Sequence, residues 1–176
     1  MKFTYKIADF SDIQSIKELM ILSIDENMSH LLSENELEAA KESMGLDTQL
    51  IKDKTYFLIF KEEAFIGCGG YSYRKTLFGG DHTPNRSDEL LDPAMDPAKI
   101  RAMYTHPDWV RKGVGTYILN LAEKECLKKG FKNVELMATV SGKLLYEKRN
   151  YKVLEQIDYQ SKIGNKVPMY RMIKKI

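Results

Sequence analysis

The residues that point most directly to chemistry form a glycine-rich turn between an apolar strand and a helix. The turn follows His106 and ends in Arg111-Lys112-Gly113-Val114-Gly115. The first N–H groups of a helix have no partner inside the helix, and together with the helix dipole they favour a bound phosphate. Glycine lets an anion approach without meeting a Cβ, and Arg111 and Lys112 add positive charge. The pattern indicates a phosphate site, with an ordinary loop end as the alternative.

Two other phosphate motifs do not fit this segment. A dinucleotide-binding fingerprint requires a glycine at the position of Ile118. A Walker loop requires Gly-Lys-Ser/Thr at its end, whereas Gly115 is followed by Thr116-Tyr117. The turn is therefore not a nucleotide loop of either type.

Tyr146 is the second residue that can take part in a reaction. It lies in Leu144-Leu145-Tyr146-Glu147-Lys148, a short helical pattern that follows the apolar run at residues 134–138. A phenol held beside a leaving group can supply a proton. A core aromatic on a short helix is the alternative interpretation of Tyr146.

Together the two segments resemble the acyltransferases of the GNAT superfamily. The strand, Pro107 and residues 111–115 resemble that family's acetyl-CoA motif, Gln/Arg-x-x-Gly-x-Gly/Ala. Residues 134–151 resemble its strand and the following helix that ends in Tyr-Glu-Lys-x-Gly-Phe. Val110 stands where Gln or Arg is usual, and Asn150 stands where glycine is usual. Binding is expected to survive both changes, because backbone donors do not depend on residue type and asparagine accepts a left-handed cap.

The resemblance implies an acetyl-CoA-dependent N-acetyltransferase that passes acetyl directly to a primary amine and needs no metal. Tyr146 would then protonate the CoA thiolate. The expected cofactor-binding residues are the pantetheine-pairing strand end and the pyrophosphate-binding turn: Met103, Tyr104, Thr105, Arg111, Lys112, Gly113, Val114, Gly115 and Thr116. A noncatalytic acyl-CoA-binding regulatory domain is the alternative. A nucleic-acid-binding module is disfavoured, because the basic residues are not interleaved with an aromatic platform.

The acceptor side of the reaction has no motif of its own. Its predicted wall is a loop with aromatics and a few polar groups, which are typical of small-molecule pockets; the residues are Tyr71, Tyr73, Asp81 and His82. Several groups are candidates for the base that deprotonates the amine: His106, His82, Asp81, Tyr73 and a carboxylate of the Asp25-Glu26 region. The acceptor is expected to be a small-molecule or peptide amine, and its identity stays open.

The surrounding pattern predicts one domain over residues 1–176, with a central twisted mixed β-sheet flanked by helices, an α/β fold. The predicted order is βααβββαβαββ. Strands are predicted at residues 3–7, 55–60, 64–68, 100–105, 133–138, 152–159 and 167–173. Helices are predicted at residues 13–24, 33–44, 114–129 and 142–149. Ser11 and Ser33 are predicted to cap the first two helices, because each begins a Ser-x-x-Glu/Gln box.

Two stretches break this regular pattern. Gly67, Gly69 and Gly70 leave the strand that begins at residue 64 with few side chains, and they predict a bulge or a close backbone approach. Residues 74–96 contain Gly79-Gly80 and two prolines and show little periodicity. This stretch is long for a connection in a compact domain, so it is predicted to be a functional or mobile loop.

Composition is that of a soluble intracellular domain. The chain has 176 residues, 43% of them apolar, and no run long enough for a membrane helix or a signal peptide. Cys68 and Cys126 lie in apolar patterns, which indicates buried thiols and a cytoplasmic location. Residues 1–100 carry a net charge of −7 and residues 101–176 a net charge of +9. The basic part would hold phosphates and the acidic part could attract a cationic amine; neither nucleic acid nor membrane is an expected partner, and a homodimer stays open.

Overall fold

Seven strands form one mixed sheet in the computed structural model, which describes residues 2–176. The strand order is β1-β2-β3-β4-β5-β7-β6, with β1 Thr4–Ile7, β2 Tyr56–Lys61, β3 Ala64–Ser72, β4 Ala98–Thr105, β5 Asn133–Ala138, β6 Lys152–Gln160 and β7 Lys166–Lys175. The helices are α1 Ile13–Met28, α2 Glu34–Ser43, α3 Thr48–Lys52, α4 Val114–Lys128 and α5 Val140–Lys148. The predicted fold class is confirmed. Within residues 2–176, no helix is both long enough and apolar enough to cross a membrane.

The main difference from the predicted elements is helix α3, which the sequence pattern did not reveal. It has five residues, too few to show a helical period. Asp47 caps it by accepting a hydrogen bond from the Gln49 N–H at 3.1 Å. Asp47 is 2% exposed, so this cap also places a carboxylate inside the protein.

Strand β3 continues through its glycines to Ser72, beyond the predicted end. A Cβ built on Gly70 would lie 2.1 Å from the Thr55 carbonyl oxygen, and one on Gly69 would lie 2.8 Å from the Met103 Cγ. The register with β4 shifts between Cys68 and Gly70. The predicted close approach and irregularity are confirmed: Gly69 lies against β4, and Gly70 lies against the backbone just ahead of β2.

The two predicted caps have different outcomes. Ser33 and Glu36 form the expected box at α2, where each side chain accepts a hydrogen bond from the other residue's N–H. The prediction for Ser11 was wrong. Asp9 accepts the Ser11 N–H at 2.8 Å and Asp12 accepts the Asp9 N–H at 3.0 Å, so the box starts two residues earlier and opens a 3₁₀ turn ahead of α1. Aspartate makes this i to i+2 bond readily, which is why it displaces the serine.

Two hydrophobic clusters cover the two faces of the sheet. Cys126 belongs to the cluster that contains α4, and Cys68 belongs to the cluster that contains α1 and α2. Both thiols are buried, as predicted. Burial raises the pKa of each thiol to about 12, so both stay protonated and unreactive at neutral pH.

Strands β4 and β5 run parallel but separate after a short contact. They pair only at Ala98 with Val134 and at Lys99 with Glu135. The Lys99 ammonium contacts the Glu135 carboxylate at this last pair, and both side chains are buried. Farther along, β4 bulges at Ala102, whose φ is +50°, and the Tyr56 hydroxyl donates to the Ala102 carbonyl at 2.8 Å. A gap therefore opens in the sheet between the ends of β4 and β5.

Candidate functional site

The turn after β4 is built so that the first amides of α4 are unpaired within the helix. Gly113 is the N-cap residue, with φ at +91° in the left-handed region, where glycine carries no Cβ penalty. The first bond of this helix runs from the Tyr117 N–H to the Gly113 carbonyl at 3.0 Å. The N–H groups of Val114, Gly115 and Thr116 therefore lie ahead of the hydrogen-bonded helix, as an anion site requires.

The residues of this turn differ in what they do. Arg111 is left-handed at φ +61°, and the Lys112 ammonium lies 5.3 Å from the centroid of the Trp109 ring. Val114, the first residue of α4, is buried against β3. A Cβ on Gly115 would lie 2.6 Å from the Leu145 Cδ2. Glycine at 115 thus lets the Leu145 side chain of α5 lie directly against the start of α4.

Tyr146 lies across the gap from β4, on helix α5. Its hydroxyl is 3.6 Å from the Met103 Sδ, and its ring packs edge-on against Tyr151 at 5.8 Å. The side chain is half-buried, and desolvation raises the pKa of the phenol to about 12. The structure therefore brings together Tyr146 and Met103, two residues predicted from separate segments, and it directs the hydroxyl at a sulfur atom.

A narrow cavity of about 80 Å³ lies where β4 and β5 separate. It is lined by residues 43–45 after α2, residues 77–79 of the long loop, residues 100–104 of β4, and side chains of β5, α5 and β7. Met103, Tyr104 and Tyr146 all contribute to its wall. The predicted catalytic residue and the predicted strand end thus share one cavity.

The end of β4 also contacts α1, through residues that the sequence did not single out. The Asn27 side-chain amide donates to the Thr105 carbonyl at 2.8 Å, and the Ser23 hydroxyl accepts the Thr105 N–H at 3.3 Å. Both polar groups of the Thr105 backbone are therefore engaged. No local motif marks Ser23 or Asn27, since each is one polar residue on a helix.

The loop of residues 74–96 is held against the sheet by a buried charge network. Arg101 on β4 donates to the Asp47 carboxylate at 2.8 Å and to the carbonyls of Thr76 and Gly79 at 2.7 Å each. Arg86 of the loop donates to the other oxygen of Asp47 at 2.7 Å. The segment that forms one cavity wall is thus fixed by hydrogen bonds at both ends.

The residues predicted for the acceptor wall do not line this cavity. Tyr71 is 4% exposed and belongs to the core under α4. The Tyr73 ring centroid lies 5.5 Å from the Arg74 guanidinium carbon and 4.8 Å from the Lys129 ammonium. Among the described residues that line the cavity, neither tyrosine is present, nor are Asp81 and His82. Because β3 continues to Ser72 and side chains alternate between the two faces of a strand, Tyr71 enters the core under α4 instead of the cavity.

The polar members of that predicted wall have structural partners instead. Asp81 accepts the Thr48 N–H at 3.0 Å, and the His82 Nε2 hydrogen-bonds the Glu42 carbonyl at 2.7 Å. The remaining base candidates, His106 and the Asp25-Glu26 region, do not line the cavity either. His106 accepts the Asp108 N–H in the turn after β4, and Asp25 pairs with Lys41 at 3.0 Å.

Solved structures with this fold include several acetyltransferases. A GCN5-related N-acetyltransferase from Rhodopseudomonas palustris is 16% identical with a TM-score of 0.73, covering 100% of this chain and 97% of its own. The PaiA N-acetyltransferase from Thermoplasma acidophilum, in complex with coenzyme A, is 18% identical with a TM-score of 0.67, and 100% of each chain is covered. A putative acetyltransferase, yncA, from Salmonella typhimurium with acetyl-CoA is 15% identical with a TM-score of 0.61, covering 98% and 93%.

The sequence comparisons identify the family. No curated protein matches the sequence. The family model for the acetyltransferase (GNAT) family matches residues 24–151. That match spans most of the chain, from α1 to the end of α5, and it includes the turn, the gap and Tyr146. The chain therefore belongs to the GNAT family of acetyltransferases.

Proposed function

We propose that this chain transfers an acetyl group from acetyl-CoA directly to a primary amine of a small-molecule or peptide acceptor. The observation that carries the proposal is that the bulged end of β4 and Tyr146 line one cavity, while the start of α4, with its free amides, lies against Leu145 of the same helix as Tyr146. Two of the structural neighbours contain CoA or acetyl-CoA, which supports the same ligand here.

The residues around the turn fit a pyrophosphate. The amides from Gly113 to Thr116 provide donors, and Arg111 and Lys112 provide charge. A Cβ built on Gly113 would meet only Phe3, at 4.0 Å, so there is space in front of this backbone. When bound, acetyl-CoA would supply the activated acetyl group at the gap.

Pantetheine pairing at the end of β4 requires a change in existing contacts. Met103 and Tyr104 line the cavity, whereas the backbone of Thr105 already bonds to Ser23 and Asn27. We expect these two α1 side chains to release Thr105 when the strand end receives the ligand. The domain assignment, one acetyltransferase domain over residues 1–176, is part of this proposal.

Tyr146 acts on the leaving sulfur. As the amine nitrogen bonds to the acetyl carbon, the carbon–sulfur bond breaks and its electron pair stays on sulfur. The Tyr146 hydroxyl donates its hydrogen bond to that sulfur and passes on its proton, and water returns the proton to the phenol. The raised pKa of Tyr146 keeps the hydroxyl protonated at neutral pH, so it is available as a donor. The amine reacts in its neutral form and loses its extra proton to water.

Thermal melting with acetyl-CoA tests the binding site. A ligand that binds only the folded state raises the melting temperature, so we expect a clear shift at millimolar acetyl-CoA. Gly113→Asp should remove the shift, because a carboxylate would stand where phosphates bind. Gly113→Asn is the matched control, since it has the same shape and tolerates positive φ, and it should retain most of the shift. Equal shifts in the two variants would contradict the phosphate assignment.

Release of free thiol from acetyl-CoA with a panel of amines tests turnover. Tyr146→Phe should lower kcat by about 10²-fold while leaving the melting shift with acetyl-CoA intact. Wild-type kcat in that variant would remove the proposed role of Tyr146. A melting shift without thiol release for any amine would instead identify a noncatalytic acyl-CoA-binding domain.

A further inference from the structure

We infer that the preferred acceptor carries its amine on an uncharged apolar group, and that a second cationic group close to that amine is selected against. The inference rests on the proposed acetyl transfer and concerns the same cavity. It goes beyond that function by naming the class of acceptor.

Most of the residues that line the cavity have apolar side chains, and four of them are methionines. Those that line the cavity include Met44, Met103, Met137, Met169, Leu77 and Phe78. The Tyr146 hydroxyl contacts one of these sulfur atoms, so the apolar wall and the proposed donor belong to one site. Methionine adapts its shape to irregular ligands and favours contact with aromatic rings.

The polar groups in the same wall already have partners. Arg101 is held by Asp47 and by the Thr76 and Gly79 carbonyls, and the Ser43 hydroxyl donates to the Ala40 carbonyl at 2.8 Å. An ammonium group brought into this cavity would lose its water without gaining a carboxylate, which is unfavourable. Arg101 and Arg86 share the single carboxylate of Asp47, so the network keeps a net positive charge, which disfavours a second cation further.

The acidic surface of α1 and α2 does not change this conclusion. Asp25 and Glu38 both pair with Lys41, at 3.0 and 3.2 Å, on exposed helix faces. These carboxylates can raise the local concentration of a cationic amine. They do not line the cavity in which the amine reacts, so they do not set its selectivity.

Matched amines of equal length test the inference. Thiol release is measured with butylamine and with 1,3-diaminopropane, which differ only in a terminal methyl or ammonium group three carbons from the reacting amine, and with phenethylamine as an aromatic acceptor. We expect kcat/KM for butylamine and phenethylamine to exceed that for the diamine at least about tenfold, a difference of about 1.4 kcal/mol. A kcat/KM for the diamine equal to or higher than that for the monoamine would overturn the inference and leave the proposed function standing. No thiol release with any amine, or no melting shift with acetyl-CoA, would overturn the proposed function and the inference with it.

A charge placed in the wall gives a second, independent test. Met137→Glu puts a carboxylate into the cavity and should reduce the preference for butylamine over the diamine at least about tenfold, since each factor of ten needs only about 1.4 kcal/mol. Met95→Glu is the matched control, because Met95 is 81% exposed outside the cavity, and it should leave the preference unchanged. The melting shift with acetyl-CoA verifies that both variants fold. A folded Met137→Glu protein with the wild-type preference would refute the inference.

Discussion

Replacing Asp47 by alanine tests the buried charge network that fixes the cavity wall. The Asp47 side chain is 1% exposed and the Arg101 side chain is 3% exposed. One carboxylate accepts hydrogen bonds from Arg86, from Arg101 and from the Gln49 N–H. The alanine variant therefore leaves two guanidinium groups without a counter-charge, and it also removes the cap of α3.

The expected loss of stability is large for one substitution. Breaking a buried ion pair by removing one partner costs about 3 to 5 kcal/mol, and loss of a helix cap costs about 1 kcal/mol. Because the two effects share one side chain, we expect a total near 4 kcal/mol rather than their sum. For a chain of this size, each kcal/mol corresponds to about 2 to 4 °C in the melting temperature, so the melting temperature should fall by roughly 8 to 16 °C.

Glu89→Ala is the matched control for this prediction. It also removes one negative charge, in this case from the long loop. Its partner Lys75 is exposed, and exposed ion pairs contribute less than about 1 kcal/mol. Urea denaturation of both variants gives the two free energies of unfolding. If Asp47→Ala lost no more stability than Glu89→Ala, the network would not hold the loop, and the cavity wall at residues 77–79 would need another explanation.

The contacts of Gly70, Tyr146 and the two cysteines give three shorter predictions. Gly70→Ala should lower the melting temperature, because its Cβ would lie 2.1 Å from the Thr55 carbonyl oxygen, a backbone atom that cannot rotate away; an unchanged value would contradict this contact. The pKa of Tyr146 is raised to about 12, so kcat should show no fall from loss of the phenol proton near pH about 10, where a free tyrosine titrates. Cys68 and Cys126, with pKa values raised to about 12, should react with a thiol reagent only after denaturation, and rapid labelling of the folded protein would refute their burial.

The sequence was informative where function depends on adjacent residues. The turn from residue 106 to residue 115 and its helix are one continuous segment, and Tyr146 follows a recognisable strand, so both could be predicted to lie near the sheet end. The bulge at Ala102 could not be predicted, because alanine does not favour φ at +50°. The glycines opposite it predicted only that some irregularity exists nearby.

The acceptor side could not be predicted because its contacts join distant parts of the chain. Arg101 and Asp47 are 54 positions apart, and neither residue type nor local spacing indicates that they meet. Tyr71 and Tyr73 have the right composition for a pocket, yet the course of β3 places Tyr71 in the core. The methionines of the cavity come from a helix end and three strands, and each alone has the pattern of an ordinary core residue.

The separation of β4 from β5 also has a consequence for how the protein opens. The strand-to-strand backbone connection between β1–β4 and β5–β7 consists of two residue pairs. The other connections are side-chain packing under α4 on one face and the contacts of α2 with β6 and β7 on the other face. Local opening follows units with few shared hydrogen bonds, so amide hydrogen exchange should divide the sheet into two cooperative units at this boundary. A ligand held in the gap contacts both units and would make them open together. Ligand binding would therefore slow amide hydrogen exchange in strands far from the site itself.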